Sequence, residues 1–261
     1  MSAPGAGRES GSGHGRSVVI LGATSAIARA VATELAARGF DLLVAGRDLE
    51  DLRTIAADVR LRHGVAAVPL EFDALSFDTH ASFLDECRTA ASGNRLFGAV
   101  LCFGYLGDQA ESEKDFAEAR RTIDTNFVAA VSILNLLAAE LETNRQGFLA
   151  AISSVAGDRG RQSNYIYGAA KAGLTVYLQG LRNRLSRSGV RVITIKPGFV
   201  DTRMTFGRPG MFLVASPEAA AKRIVRAILG SKEVTYVPGF WRFVMFGIRA
   251  IPEKMFKKIR L

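Results

Sequence analysis

Tyr167 and Lys171 lie four residues apart, so on a helix they stand one turn apart on one face. An ammonium in that position favours the phenolate. A phenol starts near ~10, and bringing it to a working pH takes about 3 units, or about 4 kcal/mol, which a close ammonium and one further cation can supply. Ser154 precedes Tyr167 by thirteen residues, far enough for a strand end and a loop to carry its hydroxyl back over the helix. The trio sets a proton donor beside a hydrogen-bond donor, a pair suited to a carbonyl oxygen turning into an alkoxide. Tyr165, six residues before Lys171, falls on a different face of the same helix.

The elements that must position these groups follow from periodicity. Residues 17–21, 41–45, 65–70, 97–102, 147–153, 190–195 and 234–237 read as strands. A turn at 22–28 opens into a helix ending near Arg38, and helices are expected over 49–63, 76–91, 112–143, 164–188 and 217–229. This β-α order with short connections predicts α/β architecture, a doubly wound parallel sheet of the Rossmann kind in a single domain over residues 16–237. A flexible leader at 1–15 precedes it and a basic, aromatic tail at 238–261 follows it. The turn Gly22-Ala23-Thr24-Ser25-Ala26-Ile27-Ala28 places backbone amides and a helix dipole where a phosphate can bind. Gly46 stands at the end of the second strand, where an acid would hold a ribose 2′-hydroxyl, and Arg47 follows. An arginine there suits a 2′-phosphate, so NADP is expected, with NAD as the alternative.

The spacing of Ser154, Tyr167 and Lys171 within this order of elements resembles the short-chain dehydrogenase/reductases, over about residues 16–237. The resemblance implies an NAD(P)-dependent oxidoreductase acting on CH–OH groups. It implies catalysis by Asn126, Ser154, Tyr167 and Lys171, with Asn126 opening the helix ladder and holding a water that links Lys171 to bulk solvent. It implies cofactor contacts from Gly22, Thr24, Ser25, Ile27, Arg47, Asp73, Gly104, Pro197, Gly198, Val200 and Thr202, besides Tyr167 and Lys171. Among these, Asp73 would meet the adenine edge, and Val200 and Thr202 the nicotinamide carboxamide. Asp73 also reads as a helix N-cap. Ala26 and Ala28 replace two of the family's turn glycines, and Cys102 replaces the asparagine of its Asn-Ala-Gly, leaving Gly104 in place. A homo-oligomer, such as the family's dimers, is expected from Gly168, Ala169, Ala170 and Gly173, small residues that let the Tyr167 helix pack against another.

Composition narrows the classes. A chain of 261 residues with 48% apolar content can bury the core of one domain. Cys87 and Cys102 make no disulfide framework, and His14, His63 and His80 make neither a metal cluster nor a triad, so no metal is expected. The net charge of +9 draws anionic surfaces. Without a helix-turn-helix, RNP-type or zinc-finger signature, lipid is the expected partner and nucleic acid is not. No run of 18 apolar residues appears, so no transmembrane helix is expected. The tail mixes aromatic and aliphatic residues with six Lys or Arg, and Arg242, Arg249 and Glu253 fall on one helical stripe beside a broad apolar face. That is the composition of an interfacial anchor. Arginines cost about 2.5–3.5 kcal/mol each at mid-bilayer, which excludes a span, while each base near an anionic surface gains about 1 kcal/mol. The other reading is that this face packs on the domain or on a second subunit.

With this tail, the segments 103–108, 153–174 and 189–204 look like those of the decaprenylphosphoryl-2-keto-ribose reductases. That resemblance implies reduction of the 2-keto group of a polyprenyl-phosphate-linked pentose, in the synthesis of an arabinose donor for cell-wall polymers. It also implies a flavin oxidase partner, and a cytoplasmic place at the inner face of the membrane with peripheral contact through 240–261. The alternatives are the same chemistry on another lipid-linked or soluble ketone, and a non-catalytic cofactor-binding subunit.

Overall fold

The computed structural model describes residues 13–91, 95–202 and 214–259. The strands are β1 (Ser17–Leu21), β2 (Asp41–Gly46), β3 (Ala67–Glu71), β4 (Leu96–Leu101), β5 (Gly147–Ile152), β6 (Val190–Pro197) and β7 (Val234–Val237). Between them run α1 (Ala26–Ala36), α2 (Leu49–His63), α3 (His80–Ala90), α4 (Gln109–Ser112), α5 (Phe116–Ile123), α6 (Ala129–Asn144), α7 (Tyr165–Leu185) and α8 (Pro217–Leu229). After β7 come α9 (Trp241–Ala250) and α10 (Glu253–Phe256).

The strands pair in parallel in the order β3-β2-β1-β4-β5-β6-β7. Successive side chains leave opposite faces of a strand, so a strand buried on both sides must be apolar throughout. Val18, Ile20, Leu42 and Val44 join one core with α1, α2 and α8. Val19, Leu21, Leu43 and Ala45 join a second with α3, α6 and α7. The helix ends follow local chemistry. Ser216 accepts from the Ala219 amide with Pro217 in the first turn of α8, and Gly64 closes α2 in the left-handed region. The strand order reverses between β1 and β4, which opens a crevice at their carboxyl ends.

The single helix expected over 112–143 is interrupted. One π-helical turn, Asp124–Val128, separates α5 from α6. Asn126 sits in it and donates its side-chain amide to the Thr122 carbonyl at 2.8 Å, and that side-chain bond lies within the locally widened ladder. Residues 116–144 together are long and apolar enough to cross a membrane by length and composition, although no run of 18 wholly apolar residues occurs. The apolar side has a core to face: Ile133, Leu134, Leu137 and Leu141 are fully buried with the β4 and β5 side chains.

The small residues of α7 have close neighbours within the chain, and the tail departs from its expectation. Gly168 lies against the Ala156 carbonyl, 2.9 Å from where its Cβ would stand, and Gly173 lies 3.3 Å from the Phe127 ring by the same measure. Ala170 is buried as well, so of the four small residues only Ala169 is left exposed. Gly168 and Gly173 let α7 approach the Ala156 carbonyl and the Phe127 ring within the chain. In the tail, Pro252 divides α9 from α10, so Glu253 leaves the stripe of Arg242 and Arg249. Trp241 and Met245 pack with Val155, while Phe243 and Phe246 stay 68% and 77% exposed. The tail therefore splits, one side docked on the domain and the other facing out.

Candidate active site

β5 delivers Ser153 and Ser154 to the crevice. The Ser153 hydroxyl bonds the Lys171 carbonyl at 3.0 Å and Thr175 Oγ1 at 2.8 Å, tying the strand end to α7. Ser154 is extended, and its Oγ accepts from the Ala156 amide at 3.1 Å, which leaves its own hydrogen to donate. Tyr167 stands half-buried in the first turn of α7, and Lys171 stands one turn on, buried, with Nζ 5.7 Å from the Tyr167 ring centroid. Lys171 Nζ donates to the Ile152 carbonyl at 2.9 Å.

Burial pulls the Lys171 pKa down to about 8, with Cys102 acting weakly the other way. Burial pushes the Cys102 thiol up to about 12, against the pull of Lys171. The thiol is therefore a neutral wall beside the lysine rather than its counter-ion. Gly104 lets the chain pass close by. A Cβ there would stand 3.0 Å from Asn126 Oδ1 and 3.4 Å from Lys171 Nζ, so these two polar groups flank one point. Asn126 is buried, accepts from the Tyr105 amide at 3.2 Å and donates to the Tyr105 carbonyl at 2.5 Å. It pins the segment after β4 to the π turn. Tyr165 is exposed and donates to Glu113 at 3.2 Å, away from this cluster, as its spacing predicts.

The remaining sequence-selected residues line the carboxyl edge of the sheet. Gly22 has φ +80, and a Cβ there would meet the Phe103 amide nitrogen at 2.7 Å, so only glycine serves this turn. Thr24 follows, and Ser25 caps α1 by accepting from Ala28 N at 3.3 Å. The amides of Ala26 and Ile27 open the helix, where backbone donors lack intrahelical partners. Gly46 ends β2 close to Thr24. Arg47 is exposed, and among the described residues no carboxylate pairs with it. This donor set fits a dinucleotide carrying a 2′-phosphate. Asp73 Oδ1 accepts from Leu75 N at 3.1 Å and so closes a turn. The helical chain begins only at Phe77, which corrects the N-cap reading. Pro197 ends β6, Gly198 donates to the Val237 carbonyl at 2.9 Å, and Val200 bridges to Ala215. Thr202 is the last described residue before 203–213, so Met204 lies outside the described residues, as do residues 1–12 of the leader and the last two of the tail.

Sequence reasoning missed what fixes the loop between Ser154 and Tyr167. Asp158 ion-pairs with Lys196 of β6 and accepts from the Tyr236 hydroxyl of β7 at 2.8 Å, with both charged side chains buried. Arg159 reaches the tail, donating to the carbonyls of Arg249 at 3.1 Å and Ile251 at 3.0 Å and pairing with Glu253 at 2.7 Å. No local signal announces partners 38 to 94 residues apart in the chain. A cavity of about 220 Å³ opens beside Tyr167, walled by Thr122, Gln109, Ser163 and Asn164 among others.

The family model described as short chain dehydrogenase matches residues 16–209. An uncharacterized oxidoreductase of Mycobacterium tuberculosis is 38% identical over 242 residues, 93% of this chain and 96% of the relative. Sulfoacetaldehyde reductase 2 of Chromohalobacter salexigens is 32% identical over 195 residues, 74% of this chain and 76% of that protein. A short-chain dehydrogenase from Sphingobium yanoikuyae, solved in complex with NADPH, shares the fold. Its TM-score is 0.79 at 24% identity, over 94% of this chain and 96% of that one.

Proposed function

The chain belongs to the short-chain dehydrogenase family and is an NAD(P)-dependent oxidoreductase, and on that premise we propose that it uses NADPH to reduce the 2-keto group of a polyprenyl-phosphate-linked pentose. The observation that carries the reductase reading is Lys171 Nζ lying by the Tyr167 ring and, with Asn126 Oδ1, flanking Gly104, with Ser154 just past the end of β5. A reduced nicotinamide, when bound, supplies hydride to the carbonyl carbon. Tyr167 gives its phenolic proton to the oxygen that gains charge. Ser154 donates a hydrogen bond to that oxygen as its charge develops. Protonated Lys171 sets a cation beside the phenol, which lowers the cost of releasing the proton. Asn126 Oδ1 and Lys171 Nζ flank the path by which a proton returns through water to Tyr167.

Arg47, with no acid at Gly46, favours NADPH over NADH, and the NADPH complex of the structural relative agrees with that choice. Gly22, Thr24, Ser25 and Ile27 would hold its phosphates, Asp73 its adenine, Gly104, Pro197 and Gly198 its flanks, and Val200 and Thr202 its carboxamide. The exposed phenylalanines and bases of α9 and α10 support a lipid-linked substrate, met at the inner face of the membrane by a domain spanning residues 16–237. A flavin oxidase would supply the ketone, the product feeds cell-wall polymer synthesis, and the protein works as a homo-oligomer. A second reading, a small soluble carbonyl substrate, is supported by kinship with a sulfoacetaldehyde reductase.

The experiment is oxidation of NADPH and NADH by the intact chain given a polyprenyl-phosphoryl 2-keto-pentose in vesicles. Deleting the tail is no clean control, because Trp241, Met245 and Phe256 are buried against the domain. Turnover with NADPH that exceeds turnover of a soluble ketone is expected. Good activity on the soluble ketone alone would move the protein to the second reading.

A further inference from the structure

Ser154 heads one 3₁₀ turn, Val155–Asp158, and is bound to it twice. Its Oγ accepts from Ala156 N at 3.1 Å, and its carbonyl accepts from Gly157 N at 3.1 Å. Gly157 seats the turn on α7, since a Cβ there would stand 2.8 Å from the Ala172 nitrogen and from the Lys171 carbonyl carbon. Asp158 ends the turn with its two carboxylate oxygens on different strands. Oδ1 pairs with Lys196 of β6, and Oδ2 accepts from the Tyr236 hydroxyl of β7 at 2.8 Å. The side chains of Lys196 and Asp158 are 9% and 3% exposed. Lys196 precedes Pro197, and Tyr236 precedes Val237, whose carbonyl accepts from Gly198 N at 2.9 Å. One carboxylate therefore joins the Ser154 turn to both strands that frame Pro197 and Gly198.

A buried ion pair is weak evidence of stability, because well-packed apolar side chains often replace one without loss. What apolar side chains do not supply is direction: hydrogen bonds to a carboxylate fix both distance and angle. Direction matters here, since misplacing a reacting group by about 1 Å can cost about 10²-fold in rate. We propose that Asp158 is a positioning residue for the reduction: by tying the turn to Lys196 and Tyr236, it sets the Ser154 hydroxyl against the carbonyl oxygen of a substrate seated at the nicotinamide. The proposal rests on the reading that Ser154 donates to that oxygen, and it has Asp158 act through the backbone of the turn.

Asp158→Asn alone leaves Lys196 buried without a counter-charge, which destabilises a fold, so the test pairs it with Lys196→Met. The double variant keeps an amide oxygen for Tyr236 and removes the orphaned cation, and its urea midpoint should return to the parent's. Its kcat should stay at least about tenfold low, with KM for NADPH within about twofold of the parent's. Rates are read on the intact chain with two probes, the polyprenyl-phosphoryl 2-keto-pentose in vesicles and sulfoacetaldehyde in solution. In a Ser154→Ala background the same double substitution should cost less than about twofold, because the hydroxyl it places is gone. Tyr236→Phe loses one bond and keeps both charges, so it reads the same effect should the double variant unfold. Its loss should be about threefold and should likewise vanish without Ser154. A kcat restored along with the urea midpoint, or an equal loss with and without Ser154, overturns the proposal. Hydrogen exchange needs no substrate: the amides of Ala156 and Gly157 should exchange at least about tenfold faster in the double variant, and unchanged protection overturns the proposal as well. Failure of the reductase reading itself would show separately, as no turnover of either probe by the parent.

Discussion

The crevice and the tail depart from the usual sorting of residues in opposite directions. At the crevice a lysine, an asparagine and a serine are buried. On the tail, Phe243, Phe246 and Met255 are 68%, 77% and 61% exposed among outward-facing bases. Long charged side chains are rarely buried, and clustered exposed aromatics mark a surface that meets something apolar. The crevice tolerates its polar groups because each meets a protein partner: Lys171 at Ile152, Asn126 at Tyr105 and Thr122, Ser153 at Lys171 and Thr175. Among the described residues no comparable contact covers Phe243 and Phe246 on the outer side of α9. The first region is shaped for chemistry inside the chain, and the second for contact beyond it. Arg159 joins them, since it springs from the loop between Ser154 and Tyr167 and ends on α10, over the Phe256 ring at 4.2 Å.

The largest expected effect breaks the crevice alone. Tyr167→Phe removes the proton donor and should lower kcat by about 10²–10⁴-fold, with NADPH affinity, read by fluorescence titration, nearly unchanged. Lys171→Met should also cost at least about 100-fold in kcat, by the same reckoning, yet move stability the other way. Folded Lys171 titrates near about 8 against 10.5 for the unreacted side chain. Between those values the unfolded chain holds the proton and the fold does not, so stability falls as pH drops through the window. The full cost, on the order of 3 kcal/mol before the lost Ile152 bond is counted, is present below the folded value. The urea midpoint of Lys171→Met should therefore exceed that of the parent at neutral pH, and the gap should close as pH rises past the unfolded value. In the parent, loss of the ammonium should make the reduction rate fall as pH rises through about 8. A lysine substitution that destabilises at neutral pH would mean the ammonium has a partner that outweighs its burial.

Arg159→Ala separates the two regions. It leaves two carbonyls and Glu253 without their donor and should cost about 1–3 kcal/mol of tail docking. Limited proteolysis at 250–252 should accelerate, while cleavage of the sheet core should not. A proportionate fall in kcat would show that the tail holds the catalytic loop in place. An unchanged kcat with a freed tail would show that the Asp158–Lys196–Tyr236 network suffices.

What the sequence could show divides along the same line. The strands announced themselves because burial on both faces forces apolar runs, and the Tyr167 and Lys171 spacing survives translation into geometry because a helix repeats. Periodicity also placed α8 and β7 at their observed bounds. It could not show the π turn at Asn126, since one extra residue in a helical ladder leaves the apolar pattern nearly intact. It could not show the Asp158–Lys196 pair or the reach of Arg159, because long-range partners carry no local signature. The stripe of Arg242, Arg249 and Glu253 presumes one continuous helix, and Pro252 is the residue that divides it.

The smallest expected effect tests the tail alone. Phe243 and Phe246 make no part of the docked cluster of Val155, Trp241 and Met245, so Phe243→Ser with Phe246→Ser should leave the fold and turnover of a soluble ketone intact. Burying a phenylalanine fully is worth about 1.5–3 kcal/mol, and an interface buries it in part, so losing both should weaken binding to anionic vesicles by at least about tenfold. The bases at 242, 249, 254, 257 and 258 remain exposed in that variant, so residual binding should be salt-sensitive. Flotation with phosphatidylglycerol vesicles at low and high salt reads both contributions. If the double substitution changes nothing while salt abolishes binding, charge alone holds the chain to the surface and the exposed rings face a protein partner. If it abolishes binding at low salt, the rings enter the lipid, and the two regions meet one substrate from its two ends.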